Sequence, residues 1–419
     1  MHDSNEIIRA LDGLLSIPSV TASGSGDTPY GPEADRALTY MLELCRRLGF
    51  RTKNCAHRVG WAEIGAGDEM VAVLVHLDVV PAGEGWDYPP FACTQDNGRL
   101  YGRGMADDKG PAIACVYAMK RLLDKGVPLA RRIRIIFGLA EEGGDWSDLE
   151  YYCQTEEKPV CGFTPDGMFP VIYGEKGFTA YQLSLPLEGS GVEHLEGGHA
   201  ENMVPDICRA VVDGRTVEAQ GRSCHGSKPW EGENAISKLM EQLSGRPVAD
   251  LYNACIGFDL HGERLGCQVE DDKVGPLTVN VGKVRTVGGR IVFWLDIRYP
   301  TVITAREILD RMGRAVAPYG ARAELEYDKK PVYLDREGPL ISTLVAAYRR
   351  LTGDTRSQPL LMKGGTYAKA MDNIAVYGPL LPGREGTEHQ KNEHLSREDF
   401  FLILDIYQAA LEDLTRVAL

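Results

Sequence analysis

Apolar residues recur at helical spacing near the start of the chain, at Ile7, Leu11, Leu14 and Leu15, and again over 34–48 (ADRALTYMLELCRRL), where Gly49 ends the run. The next apolar run, VAVLVH at 71–76, is unbroken and of strand length, which predicts a strand buried on both faces. A helix over 110–123, a second β-rich run at 131–140 (RRIRIIFGLA) and a further run at 158–163 continue the alternation. Strand, helix, strand at this spacing predicts an α/β fold with a mostly parallel sheet flanked by helices. Ligands in such sheets sit beyond the carboxyl ends of the strands, and there fall His76, Glu141, Glu142 and Asp166.

The texture changes after about residue 180. TAYQLSLPL reads as a strand, VEHLEGGHAEN as a loop, and ICRAVVDGRTVEAQGR as a hairpin turning at Asp213-Gly214. A helix over 234–243, strands over 277–284 and 290–297, a helix over 305–316 and the strand AELEY complete two rounds of strands plus helix. From about Leu340 the pattern returns to a helix, a Gly-Gly turn with a short helix, the strand IAVYGPL and a closing helix over 398–414. The expected organisation is an α/β domain made of 1–180 and 356–419, with 181–355 inserted as an α+β domain of two subdomains.

Charge narrows the partners. The 419 residues carry 46 Lys+Arg against 60 Asp+Glu, a net charge of -14, which argues against a nucleic-acid or anionic-membrane partner. No window approaches the ~18 apolar residues of a membrane helix, and the start lacks a basic stretch followed by an apolar run, so a cytoplasmic protein is expected. The ten cysteines form no CxxC and read as reduced thiols.

The chemistry lies in short polar strings at strand ends. HLDVV places His76 at the end of a strand with Asp78 two residues on, facing the same side and able to orient the imidazole. GRGMADDKG sets Asp107 and Asp108 in a glycine-rich loop before a helix, where a capping role is the ordinary alternative. LAEEGGD supplies Glu141 and Glu142, TPDGMFP supplies Asp166, and EHQKNEHLS supplies His389. Singly these read as a charge pair, a turn and a surface histidine. Together, Asp78, Asp107, Glu141, Glu142 and Asp166 would repel strongly in one cleft without cations between them. Two divalent ions resolve that repulsion, and carboxylates with imidazole suit Zn, Mn or Co. One carboxylate must stay off the metals to serve as general base.

The strings HLDVVPAGEGW, GRGMADDKGP, AEEGG, TPDGMFPVIYGEKG and HQKNE resemble the co-catalytic metallopeptidases that include aminoacylase, acetylornithine deacetylase, succinyl-diaminopimelate desuccinylase and, nearest in pattern, the PepV-type dipeptidases. The likeness runs in family order from about residue 70 to the end. It implies that Asp107 bridges two metals, that His76 and Asp166 complete one site and Glu142 and His389 the other, and that Glu141 is the base, with Asp78 behind His76. It also implies a cis peptide at Asp107-Asp108 and a water shared by the metals as nucleophile. SCHGSKPWEGENA resembles the family's lid motif, which makes His225 the residue that stabilises the oxyanion. ENMVPD, DIRYP and KGGTYA resemble segments that hold a substrate carboxylate, and point to Asn202, Arg298, Gly364, Gly365 and Thr366. A guanidinium fork and a glycine turn suit that anion, although Arg298 has the rival reading of an ordinary ion pair. His2, His57, His194, His199, His261 and His394 are expected to stay off the metals.

Two features favour peptides as substrates. In the resembled family Asp at the position of Asp166 goes with a free amino terminus, and the long middle segment resembles an enlarged lid that mimics a dimer interface within a monomer. The expected activity is hydrolysis of unblocked dipeptides, with carnosine-like Xaa-His among the candidates. Hydrolysis of N-acyl amino acids and a non-catalytic binding module remain as alternatives.

Overall fold

The computed structural model describes residues 4–24, 26–144, 146–362 and 364–418. His2, Asp145 and Lys363, which belong to segments read above, lie outside the described residues. The chain forms two compact units, Met1–Tyr173 with Leu334–Leu360 and Thr366–Leu419, and Gly174–Tyr333 with Leu361–Gly365.

The first unit is α/β. Its strands run in the order Arg51–Cys55, Val59–Ile64, Arg132–Gly138, Met70–His76, Cys161–Thr164, Ile374–Val376. The last four are mutually parallel and the first two antiparallel. Every residue of Met70–His76 is buried, as a strand covered on both faces requires. Helix Lys109–Asp124 is also buried nearly all round, against the sheet and the helices Ser4–Leu15 and Arg397–Leu414. Its small residues allow the close approach: a Cβ on Gly110 would lie 2.0 Å from the Met105 carbonyl oxygen. Helix Pro32–Arg47 covers the antiparallel pair, and Gly60 makes room for Leu38, whose Cδ1 would lie 2.6 Å from an added Cβ.

The boundary expected at 355/356 falls instead at 333/334, and the one at 180/181 falls at 173/174. Helix Pro339–Thr352 accounts for the larger shift, because its apolar face (Ile341, Leu344, Val345, Tyr348) packs against Arg397–Leu414 and so belongs to the first unit. The hairpin Arg51–Cys55 and Val59–Ile64 was not foreseen, since RTKNC has a mostly exposed face and no apolar alternation.

The second unit carries one antiparallel sheet in the order Arg215–Gln220, Ile207–Val212, His194–Gly197, Thr278–Val287, Arg290–Tyr299, Gly177–Pro186, Arg322–Lys329. The expected hairpin is present, with Asp213 and Gly214 both at positive φ (51° and 70°), the left-handed conformation that a tight two-residue turn needs. The segment read as a loop instead places His194–Gly197 inside the sheet, with Leu195 buried. Two subdomains were expected, yet helices Ala235–Gln242, Pro247–Cys255 and Ala305–Val316 share a single apolar cluster on this continuous sheet. Local caps agree with the sequence: Asn234 accepts the amides of Ile236 and Ser237, and Thr304 with Glu307 forms a capping box.

Candidate active site

Three parallel strands of the first unit end side by side and deliver the candidate residues. His76 closes Met70–His76, Glu141 and Glu142 follow Arg132–Gly138, and Asp166 follows Cys161–Thr164. Asp107 comes from the loop before helix Lys109–Asp124, across a cis bond to Asp108, and His389 comes from the segment before Arg397–Leu414. His389 has φ 61°, a conformation that non-glycine residues adopt mainly where function or packing demands it.

His76 Nε2 lies 2.8 Å from Asp107 Oδ1, and His389 Nε2 lies 3.0 Å from Asp107 Oδ2 and 3.0 Å from Glu142 Oε2. Donor atoms of His76, Asp107 and Asp166 fall within 4.8 Å of one another, as do those of Asp107, Glu142 and His389. Asp107 is thus common to two groups of three. Two imidazoles and three carboxylates are donors that Zn, Mn or Co accept, so the residues fit a pair of divalent ions.

Electrostatics support that fit. Burial alone would raise the Asp107 carboxyl, but hydrogen bonds with His389 and His76 hold it well below its usual range. The same bonds, from Asp107 and then Glu142, lift His389 to about 11, and His76 is raised by Asp107 and Asp78 against the opposing effect of burial. Protons on the imidazoles therefore balance the carboxylates where no cation does. A ligating imidazole must be neutral, so metal uptake displaces those protons and affinity rises with pH across the neutral range. Calorimetry at neutral pH in buffers of different ionisation enthalpy is expected to show net proton release on metal binding; binding without release would contradict this balance.

Glu141 is half-buried and close to both groups. Burial first, then the charge of Asp166, pushes its carboxyl above the usual range, the direction that makes its carboxylate a stronger base. Its backbone is tied at both ends, its N–H donating to Asp78 Oδ1 (3.2 Å) and its carbonyl accepting Trp146 Nε1–H (3.1 Å).

Asp78 does more than stand behind His76. His76 Nδ1 is closer to the Asp78 carbonyl oxygen (3.0 Å) than to its Oδ1 (3.5 Å). The fully buried carboxylate instead accepts the amides of Glu141 and Glu142, the latter at 3.0 Å, and the hydroxyl of Thr21 at 2.9 Å. Asp108 stands at the cap position of its helix without capping it; its Oδ2 accepts the His76 N–H at 3.2 Å.

Glu393 ends the HQKNE string, whose expected metal ligand is His389. Its buried carboxylate takes Arg103 Nη1 at 2.5 Å and the amides of Gly104, Ala106 and Asp107 at 3.2, 2.8 and 3.1 Å, and so holds the loop that presents Asp107. Thr21 and Glu393 had no local signal, because neither their burial nor their distant partners can be read from neighbouring residues.

The other candidates lie in the second unit, Thr366 excepted. Met203 and His225 form an antiparallel bridge and Gly226 N–H donates to the Asn202 carbonyl (2.6 Å), so Asn202 and His225 are neighbours on exposed loops. Ser227 N–H donates to His225 Nδ1 at 3.2 Å, which leaves the ring proton of the neutral imidazole on Nε2. Arg298 already has an acid partner: Nη2 donates to Asp296 Oδ2 at 3.0 Å, both side chains are buried, and the guanidinium lies 4.9 Å from the Phe178 ring centre. Thr366 is buried, and its Oγ1 accepts the Ala368 amide at 3.2 Å; Gly364 and Gly365 precede it, partly exposed. Neither three-donor group includes His57, His194, His199, His261 or His394; His57 instead pairs with Asp35 at 2.6 Å, and His394 packs 5.0 Å from Tyr101.

The sequence pattern of peptidase family M20/M25/M40 matches residues 72–413. The chain belongs to this family. A Staphylococcus haemolyticus protein that bears a dipeptidase name is 36% identical to it, over 98% of this chain and 97% of that protein. Among solved structures, human carnosine dipeptidase 1 matches with a TM-score of 0.65 at 16% identity, over 99% of this chain and 96% of that one. An M20 family metallo-carboxypeptidase from Sulfolobus solfataricus matches with a TM-score of 0.64 at 18% identity, over 98% and 99%. At such identities the two structures support the fold. The chain is accordingly a peptidase of α/β fold whose residues form two groups able to hold metal ions. Among the described residues no helix is long and apolar enough to cross a membrane, and all ten cysteines are unpaired.

Proposed function

We propose that this M20 peptidase is a metal-dependent dipeptidase that hydrolyses the peptide bond of unblocked dipeptides. The observation that carries the reading is Asp107, shared by two three-donor groups, with the proton-accepting Glu141 beside them. In this reading His76, Asp107 and Asp166 hold one ion and Asp107, Glu142 and His389 the other, with Zn the first candidate and Mn or Co the alternatives. Bound there, the ions supply Lewis-acid activation of water and of the scissile carbonyl.

The chain's own residues do the rest. Glu141 takes a proton from the attacking water on its carboxylate and returns it to the leaving nitrogen. Asp78 fixes the amides of Glu141 and Glu142, so the base and a metal ligand move together. His225, with its proton on Nε2, serves as hydrogen-bond donor to the developing oxyanion. Arg298, its fork oriented by Asp296, acts with Asn202, Gly364, Gly365 and Thr366 on the substrate carboxylate. A carboxylate anchor of this kind favours short substrates, and Asp166 in place of the longer acid leaves room for a free amine. The unbroken seven-stranded sheet of the second unit fits a monomer in which one chain supplies what two lids supply elsewhere, and the unpaired cysteines fit a reducing cytoplasm.

Chelation followed by add-back tests the metal. Chelator-treated protein is expected to lose hydrolysis of an unblocked dipeptide and to regain it with Zn, Mn or Co supplied singly. Full activity after metal removal would end the reading.

A further inference from the structure

Four consecutive amides, from Leu139 to Glu142, form the turn that carries Glu141, and each donates to a carboxylate that belongs to neither donor group. Glu141 and Glu142 donate to Asp78. Leu139 and Ala140 donate to Asp148 Oδ2, at 2.6 and 3.0 Å. Asp148 is fully buried in the first turn of helix Ser147–Thr155, and the same oxygen accepts the hydroxyl of Tyr367.

Tyr367 is itself fully buried, its ring edge-on to His76 (6.2 Å between centres) and to Trp146 (5.8 Å). Gly138, the last residue of the strand before the turn, lies flat against it, and a Cβ there would sit 2.4 Å from the Tyr367 ring. Burial pushes the Asp148 carboxyl up to about 6, which leaves it ionised at neutral pH, and Tyr367, raised by its own burial, stays a phenol that can donate. A buried carboxylate is costly unless its oxygens are bonded, and a phenylalanine would fill the space of Tyr367 as well. Nothing in the reaction above uses either group.

We propose that Asp148 and Tyr367 form a positioning pair for Glu141, holding the amino-terminal half of its turn as Asp78 holds the other half. The proposal rests on the reading of Glu141 as base. Thr366, placed above among the groups acting on the substrate carboxylate, directly precedes Tyr367, so the pair also ties that segment to the turn of the base. The hydroxyl acts through Asp148 and through the Ala140 amide, which it accepts at 3.3 Å, and touches no reacting atom, so its loss affects the placement of Glu141 and not the binding of substrate.

The test uses the full-length, metal-reconstituted enzyme and an unblocked dipeptide. Tyr367→Phe, which removes one oxygen, is expected to lower kcat by about 10- to 100-fold, the scale of a small misplacement of a reacting group, with KM within about twofold and the metal content unchanged. Asp148→Asn is expected to lower kcat comparably, and the double variant to fall no further than the worse single variant, as residues acting in one unit do. If Asp148→Asn does not fold, Tyr367→Phe alone decides. Unchanged kcat in Tyr367→Phe, additive losses in the double variant, or a loss of metal or a rise in KM that matches the fall in kcat would overturn the pair. Glu141→Gln is measured alongside: an active Glu141→Gln enzyme removes the base reading itself, whereas an inactive one beside a fully active Tyr367→Phe enzyme removes only the positioning pair.

Discussion

Replacing Glu141 by glutamine lowers kcat for dipeptide hydrolysis by about 1,000-fold or more while both metal ions stay bound, the upper part of the range for loss of a general base. The isosteric change removes the proton-accepting oxygen and leaves the turn intact, because the turn is fixed through the backbone. The Glu141 N–H stays on Asp78, its carbonyl stays on Trp146, and the side chain lies outside both donor groups. The loss should therefore appear in kcat and leave KM nearly unchanged. Steady-state kinetics with metal analysis checks this; a variant within tenfold of the parent enzyme would take the role of base away from Glu141.

Replacing Asp107 by alanine has a different signature. Asp107 offers Oδ1 toward His76 and Oδ2 toward His389, so its removal takes a donor from both groups at once. Loss of both ions is expected under conditions in which the parent retains two, with activity below about one part in 10,000, since the Lewis-acid and base contributions fail together. Asp166→Ala, which touches only the His76 group, should retain one ion. Metal analysis after dialysis separates the cases, and an Asp107→Ala protein that still carries two ions would show that the carboxylate is not shared.

The positions of the candidate donors could be read from the sequence because a buried strand announces its own end. VAVLVH ends in His76 and the apolar end of RRIRIIFGLA is followed at once by Glu141, so the change from apolar to ionisable residues marks where the sheet opens. What supports those residues was not legible. Thr21, Tyr367 and Glu393 act across 57 to 290 residues of chain, through hydrogen bonds to backbone amides or to a charged side chain, and leave no local pattern; Asp148 is only eight or nine residues from the amides it holds, but its burial and its bond to Tyr367 do not show in the sequence around it. The same limit explains the domain boundaries. Helix Pro339–Thr352 shows the same amphipathic spacing whichever unit it packs on, and only its contact with Arg397–Leu414 places it in the first unit. In the second unit, strand order decides between two subdomains and one sheet, and strands adjacent in sequence do not reveal that His194–Gly197 pairs with Thr278–Val287. Arg298 illustrates a middle case, because Asp296 two residues earlier on the same strand face was visible in DIRYP yet was not read as its partner.

This peptidase is proposed to cut dipeptides with a free amino terminus. The most direct measurement is the ratio of kcat/KM for an unblocked dipeptide to that for its N-acetylated form, on the same metal-reconstituted protein. Cleavage of the free dipeptide is expected, with the acetylated form at least about 100-fold poorer, as where a site built for a polar group meets an analogue that lacks it. Preference for the acetylated form would contradict it, and would assign the same metal groups and the same Glu141 to an N-acyl amino-acid hydrolase.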